Sequence, residues 1–145
     1  MQAQSSIDIR IAISKEIAQH TNWTPVFQKH KTFAYLFAIA VSYDGAGKVD
    51  TVYFTQKMSD ELNAVLRPKA LTLFLMKSKY LPNQYKDKVV MYPVIYKYPA
   101  NLTVAFDQTW QNSWVNLWPI LSEKHRNKYL VLLQPYENDF LREVN

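Results

Sequence analysis

The chain has 145 residues, of which 48% are hydrophobic and 20% charged, a composition that excludes intrinsic disorder and predicts one folded, soluble domain. Lys and Arg outnumber Asp and Glu by 17 to 12, but they are scattered along the chain and no nucleic-acid-binding motif is present, so we expect no nucleic-acid partner. Two glycines are too few for a phosphate-binding loop, and the absence of cysteine excludes thiolate chemistry, so we expect no cofactor.

The first predicted element is a helix over residues 7–20, because Ile9, Ile13 and Ile17 recur at helical spacing. Residues 1–6 before it are small and polar and lack the apolar core of a signal peptide. They suit either a cytoplasmic start or the start of a mature exported chain, and we expect export to the periplasm. A short turn of helix is predicted at Pro25, since proline suits a first helical position.

A β-hairpin is predicted next. Residues 33–43 alternate aromatic and branched side chains with small ones, as a strand covered on both faces does. Two glycines at 45 and 47 favour a turn, and residues 48–56 return to strand alternation. The longest apolar stretch, residues 33–41, is far shorter than the roughly 20 residues of a membrane-spanning helix, so no membrane-spanning segment is predicted.

Two helices and a third strand are predicted in the middle of the chain. Ser59 can cap a helix that continues into two carboxylates, and Pro68 either kinks this helix or opens a second one over residues 69–77. Residues 88–98 alternate as a strand, in which Pro93 removes one amide donor and so favours a sheet edge or a bulge. The fold class is therefore α+β, with an antiparallel sheet of three or more strands packed by helices.

The last part of the chain predicts one more helix and one more strand. Asp107 can cap a helix that carries Trp110, Trp114 and Trp118 at spacings of four and stops near residue 119. Residues 129–133 form an apolar run of strand length.

Three segments resemble the carboxy-terminal domain of Bacteroidetes-type TonB energy transducers. They are residues 40–53 (AVSYDGAGKVDTVY), 59–62 (SDEL) and 89–98 (VVMYPVIYKY), and the resemblance covers residues 7–98. It implies an envelope protein that pairs a strand with a partner's extended segment, with residues 89–98 as the sheet edge. The sequence shows neither a membrane anchor nor a proline-rich spacer, and residues 99–145 have no counterpart, so energy transduction is not expected.

Partner-binding candidates are the aromatic residues of the third strand and of the last predicted helix. Tyrosine and tryptophan combine a large apolar surface with a polar group and are frequent in binding sites. The alternative is structural, because the same spacings suit a packed helix face or a half-exposed sheet face. The candidates are Tyr92, Tyr96, Tyr98, Trp110 and Trp114.

No pattern in the sequence points to catalysis or to a metal. His20, His30 and His125 lack the spacing of a helical metal site, and no serine lies in a recognisable nucleophile motif. We therefore expect a protein that is not an enzyme and that binds a protein or peptide. The alternative is the binding of a small molecule or carbohydrate through the aromatic faces.

Overall fold

The computed structural model describes residues 8–24, 34–78, 81, 84–97 and 117–139. The helical turn predicted at Pro25 and most of the predicted tryptophan helix lie outside these ranges. The elements within them are α1 (Ile9–His20), β1 (Ala34–Tyr43), β2 (Val49–Phe54), α2 (Asp60–Leu66), α3 (Pro68–Lys77), β3 (Lys88–Lys97), α4 (Glu123–Arg126), β4 (Tyr129–Leu132) and β5 (Tyr136–Asp139).

The strands form one mixed sheet, which confirms the predicted α+β class. The order is β2-β1-β3-β4, and β5 pairs with β3 beyond the end of β4. The pairs β1–β2 and β1–β3 are antiparallel, whereas β4 and β5 both run parallel to β3. The predicted antiparallel sheet of three or more strands is found in β2, β1 and β3, and β4 and β5 extend it by parallel pairing, which the sequence does not predict.

The predicted hairpin is confirmed, and its turn is organised by one carboxylate. The Asp44 side chain accepts hydrogen bonds from the amides of Ala46 and Lys48, both at 2.9 Å. Gly47 has a φ of 83°, a left-handed conformation that glycine adopts at little cost. These contacts fix the register in which β1 and β2 pair.

Side-chain caps begin both α1 and α2; the sequence predicts the one at Ser59 but not the one at Asp8. The Asp8 carboxylate caps α1 through the Arg10 amide, and the Ser59 hydroxyl caps α2 through the Leu62 amide. Arg67 then takes a left-handed conformation, with φ 47°, and Pro68 opens α3. The proline therefore starts a new helix and does not kink the first one.

The main core lies between α1, α2 and α3 and one face of the sheet. The isoleucines at helical spacing in α1 are fully buried in it, as their spacing predicts. Trp23 stacks on Tyr96 of β3, with ring centroids 4.2 Å apart. Among the described residues, no helix is long and apolar enough to cross a membrane.

Strand β3 lies in the interior of the sheet, so the prediction that residues 89–98 form its edge is wrong. Its first half pairs with β4 and its second half with β5. Pro93 lies opposite Ala38, whose amide and carbonyl both turn away from β3 to bond Thr55. Two residues directly opposite each other in an antiparallel pair either both bond across the pair or both face away from it, so the backbone of Pro93 also faces away from β1. Its nitrogen, which lacks a hydrogen, is therefore directed to the break between β4 and β5.

The second face of the sheet is covered by residues 117–128, which we call the strap. Leu117 packs on Leu36 and Ala38, and Leu121 packs on the group formed by Ala40, Val89 and Met91. The Thr55 hydroxyl also donates to the Leu117 carbonyl at 2.8 Å. The strap leads directly into β4, so the segment that covers this face also positions the outer strand.

Candidate functional site

The outer edge of β4 has no neighbouring strand among the described residues. The Leu133 amide donates to the Met91 carbonyl at 2.9 Å, so the backbone of Leu133 faces β3. Because the direction alternates along a strand, the amides and carbonyls of Leu130 and Leu132 point the other way. Two residues of β4 therefore present main-chain donors and acceptors to the outside of the sheet.

Apolar side chains border this edge on both faces. Tyr129 is 71% exposed, Leu132 62% and Leu130 42%. Val131 instead turns inward and packs against the main core, which holds the strand in its register. Native edge strands usually carry charge, proline or a bulge that hinders pairing, but residues 129–132 carry neither charge nor proline.

An open cleft of about 430 Å³ lies beside β4. It is lined by Asp8, Arg10, Gln84, Tyr85, Leu132, Leu133 and Gln134. The Arg10 guanidinium pairs with the Asp8 carboxylate at 2.9 Å and donates to the Gln134 carbonyl at 3.0 Å. Hydrogen bonding from Arg10 is the main cause that holds the pKa of Asp8 below its ordinary value. The cleft thus offers a polar, charge-balanced wall next to the apolar edge.

A polar network fastens the strap to the second face of the sheet. His125, 2% exposed, lies with its Nδ1 atom 2.5 Å from the Tyr53 hydroxyl and its Nε2 atom 3.3 Å from an Asp50 oxygen. Lys128 Nζ donates to the Tyr43 carbonyl at 2.6 Å and lies 3.3 Å from the other Asp50 oxygen. The Tyr53 hydroxyl also lies 2.8 Å from the Ser122 hydroxyl.

The contacts of His125 suit one neutral tautomer. A carboxylate only accepts, so in this tautomer the Nε2 atom carries the hydrogen and faces Asp50, and the Nδ1 atom accepts from the Tyr53 hydroxyl. At 3.3 Å the contact between His125 and Asp50 is longer than an ordinary hydrogen bond and is mainly electrostatic. Burial raises the pKa of Asp50, but the Ser42 hydrogen bond and the charge of Lys128 act in the opposite direction, and the pKa lies below its ordinary value.

The sequence of carboxylate, imidazole and hydroxyl is also the arrangement of a nucleophilic triad. Here the hydroxyl that contacts the imidazole belongs to the phenol of Tyr53, and the Ser122 hydroxyl contacts Tyr53 instead of the imidazole. None of these residues lines the cleft described above. The contacts account for how the strap is held on the sheet.

The structure places two of the predicted partner-binding residues in the main core. Tyr92 and Tyr96 are 1% and 0% exposed, because α1 and Trp23 cover the face of β3 from which they project. Neither side chain offers surface to a partner in this structure. Tyr98, Trp110 and Trp114 lie outside the described residues.

Trp118 is the one residue of the predicted tryptophan stripe within the described ranges. It lies in the strap, is 45% exposed and is not helical. The Gln56 side chain donates to its carbonyl at 2.9 Å, which holds the backbone while the indole faces outward.

The exposed edge at β4 escaped the sequence analysis as a site, although its strand was predicted. The sequence feature that could have indicated it is the apolar run 129–132, which directly follows the basic segment 124–128. Such a run equally suits a buried strand, so the sequence alone does not distinguish the two.

The described residues contain no group of three or more His, Asp or Glu side chains that could hold a metal ion. Comparison of the chain with protein-family models, with curated proteins and with solved structures finds no match.

Proposed function

We propose that the protein is a non-catalytic binding protein that receives an extended segment of a partner protein as an added strand on β4. The observation that carries this proposal is the outer edge of β4, which pairs with no other strand in the described part of the chain and is bordered by the exposed side chains of Tyr129, Leu130 and Leu132. Strand addition uses edges of this kind, because main-chain hydrogen bonds supply affinity and alternate side chains supply specificity.

The apolar character of the edge favours a partner over exposure to water. An exposed apolar strand edge promotes aggregation unless something covers it, and exposed apolar patches on native proteins commonly mark interaction sites. A partner strand on β4 would pair the outward main-chain groups of Leu130 and Leu132. It would also cover part of the apolar surface on both faces of the sheet.

The location of the protein and its TonB-like relationship are separate predictions. Strand addition at β4 does not depend on them, since the resemblance placed the pairing edge on β3. We retain export to the envelope as a proposal. Cell fractionation tests it: a processed chain in the envelope fraction supports export, and a cytoplasmic chain that begins at Met1 contradicts it.

A second candidate is the binding of a small molecule in the cleft beside β4. Its volume of about 430 Å³ lies in the range of pockets that hold small ligands. Tyr85 and Arg10 would supply an aromatic surface and hydrogen-bond donors. A ligand bound there would slow hydrogen exchange around the cleft, which Leu132 lines, and would leave the outward amide of Leu130 unprotected.

Strand addition can be tested by site-specific photo-crosslinking in the native cells. A photoreactive residue at Leu132 should crosslink to one defined segment of a partner, whereas the same residue at Leu73 should not. Leu73 is the matched control because it is 57% exposed, close to the 62% of Leu132, but lies on α3.

The crosslinked segment is then synthesised as a peptide and mixed with the purified protein. We expect it to protect the amides of Leu130 and Leu132 from hydrogen exchange. The Leu132→Pro variant should fold but lose this binding, because proline removes an outward amide, and Leu132→Ala should retain more of it. Equal crosslinking from Leu73, or binding that leaves these amides unprotected, would contradict the proposal.

A further inference from the structure

Two basic segments meet at one end of the outer edge. β3 and β4 run parallel with Lys88 beside Tyr129, so the residues that precede each strand lie at the same end of the sheet. Segment 86–88 leads into β3 and segment 123–128 leads into β4. The topology therefore gathers cations that are far apart in the sequence.

Four of these cations are available to a partner. Lys86, Lys124 and Arg126 are exposed, and Lys88 lies with its Nζ atom 5.9 Å from the centre of the Tyr129 ring. None of the four has an ion-pair partner among the described residues. Lys128 differs, because the Asp50 carboxylate neutralises it.

The charge at this end of the edge is positive after its carboxylates are counted. Segments 86–88 and 123–126 together contain these four cations against Asp87 and Glu123, a surplus of two positive charges. The cleft beside β4 has no such surplus, because Arg10 there is paired with Asp8. The edge is therefore electrostatically asymmetric along its length.

We infer that the partner segment is acidic at the end that lies next to the start of β4. This inference rests on the proposed function and adds the chemistry of the partner to it. Complementary charge at the rim of an interface speeds association, fixes the register of a flexible segment and disfavours a segment of like charge. An acidic end would place the remainder of the segment along Leu130 and Leu132.

Six synthetic peptides test the inference. They share a centre of alternating threonine and valine and carry three aspartates, three lysines or three serines, placed at the amino terminus in one version and at the carboxyl terminus in the other. At low salt we expect the best aspartate peptide to bind at least about tenfold more tightly than its lysine counterpart. The preference should shrink as salt rises from about 0.05 M to about 0.5 M, because exposed charges are screened.

Matched charge reversals locate the effect. Lys124→Glu with Arg126→Glu turns the surplus of two positive charges into an excess of two negative ones, so the ratio of aspartate to serine peptide affinities should fall below one. Lys15→Glu with Lys69→Glu makes the same change in net charge on exposed lysines of α1 and α3 and should leave the ratio unchanged. An unchanged ratio in the first variant would overturn the inference.

Hydrogen exchange separates failure of this inference from failure of the proposed function. If all six peptides bind equally and protect the outward amides of β4, the acidic preference is refuted while strand addition stands. If no peptide protects those amides at any salt concentration, both proposals fail. If the protein forms a dimer through β4 and no peptide displaces the second copy, the acidic partner is also refuted.

Discussion

The Tyr53→Phe substitution tests whether the polar network holds the strap against the sheet. It removes only the phenolic oxygen, which lies between the Nδ1 atom of His125 and the hydroxyl of Ser122, and it keeps the ring, which packs on the group formed by Ala40, Val89 and Met91. His125 is 2% exposed, so its Nδ1 atom would lose its hydrogen bond in a place that water does not easily reach.

An unsatisfied buried acceptor costs about 1–3 kcal/mol. For a chain of this length, 1 kcal/mol corresponds to about 4 °C in Tm, so we expect Tm to fall by roughly 4–12 °C. Ser122→Ala provides the control, because Ser122 is exposed and its loss should change the free energy of unfolding by no more than about 0.5 kcal/mol.

Chemical denaturation and hydrogen exchange measure the effect together. Urea unfolding gives the loss of global stability, and exchange should show faster opening of residues 121–126 in Tyr53→Phe than in the wild-type chain. If Tyr53→Phe unfolds at the same urea concentration as Ser122→Ala and exchanges no faster in the strap, the network does not hold the strap.

Two other predictions concern Asp50 and the main core. The pKa of Asp50 is lowered from its ordinary value of 3.8, so its contribution to stability is complete above that pH and is lost as the pH falls through the folded-state pKa; Asp50→Asn should remove this acid sensitivity in urea unfolding between about pH 2 and pH 5. Leu75 is fully buried in the main core, so Leu75→Ala should lower the free energy of unfolding by about 2–5 kcal/mol, whereas Leu73→Ala on the exposed side of α3 should change it by less than about 0.5 kcal/mol in the same assay.

The parts of the fold that the sequence predicts are those set by neighbouring residues. Asp44 and Gly47 fix the hairpin turn, and Ser59 and Pro68 mark where α2 and α3 begin. Each of these signals acts within a few residues of its element. The positions of the first three strands follow from the same local patterns.

The parts that the sequence does not predict depend on pairing between distant segments. The sequence predicts an edge position for Pro93 because proline has no amide hydrogen to donate. The break between β4 and β5 that accommodates it involves residues about 40 positions away. The alternation of Tyr92 and Tyr96 suits an exposed face equally well. Only the packing of α1 and Trp23 over β3 buries them.

The candidate site escapes prediction for the same reason. The run at 129–132 is a recognisable strand, but its exposure depends on which side of it β3 occupies. The pairing of His125 with Asp50 and Tyr53 likewise joins segments about 70 residues apart, which no local spacing reveals.

The shortness of β4 limits how tightly a partner can bind by its main chain alone. Leu130 and Leu132 each offer one donor and one acceptor, so an added strand forms at most about four main-chain hydrogen bonds there, each with a net value of about 1 kcal/mol. Their sum of about 4 kcal/mol corresponds to a dissociation constant near 1 mM before the entropy of association is counted. A partner that relies on these bonds would dissociate quickly, and lasting complexes would require side chains that fit the surface around Tyr129 and the neighbouring leucines.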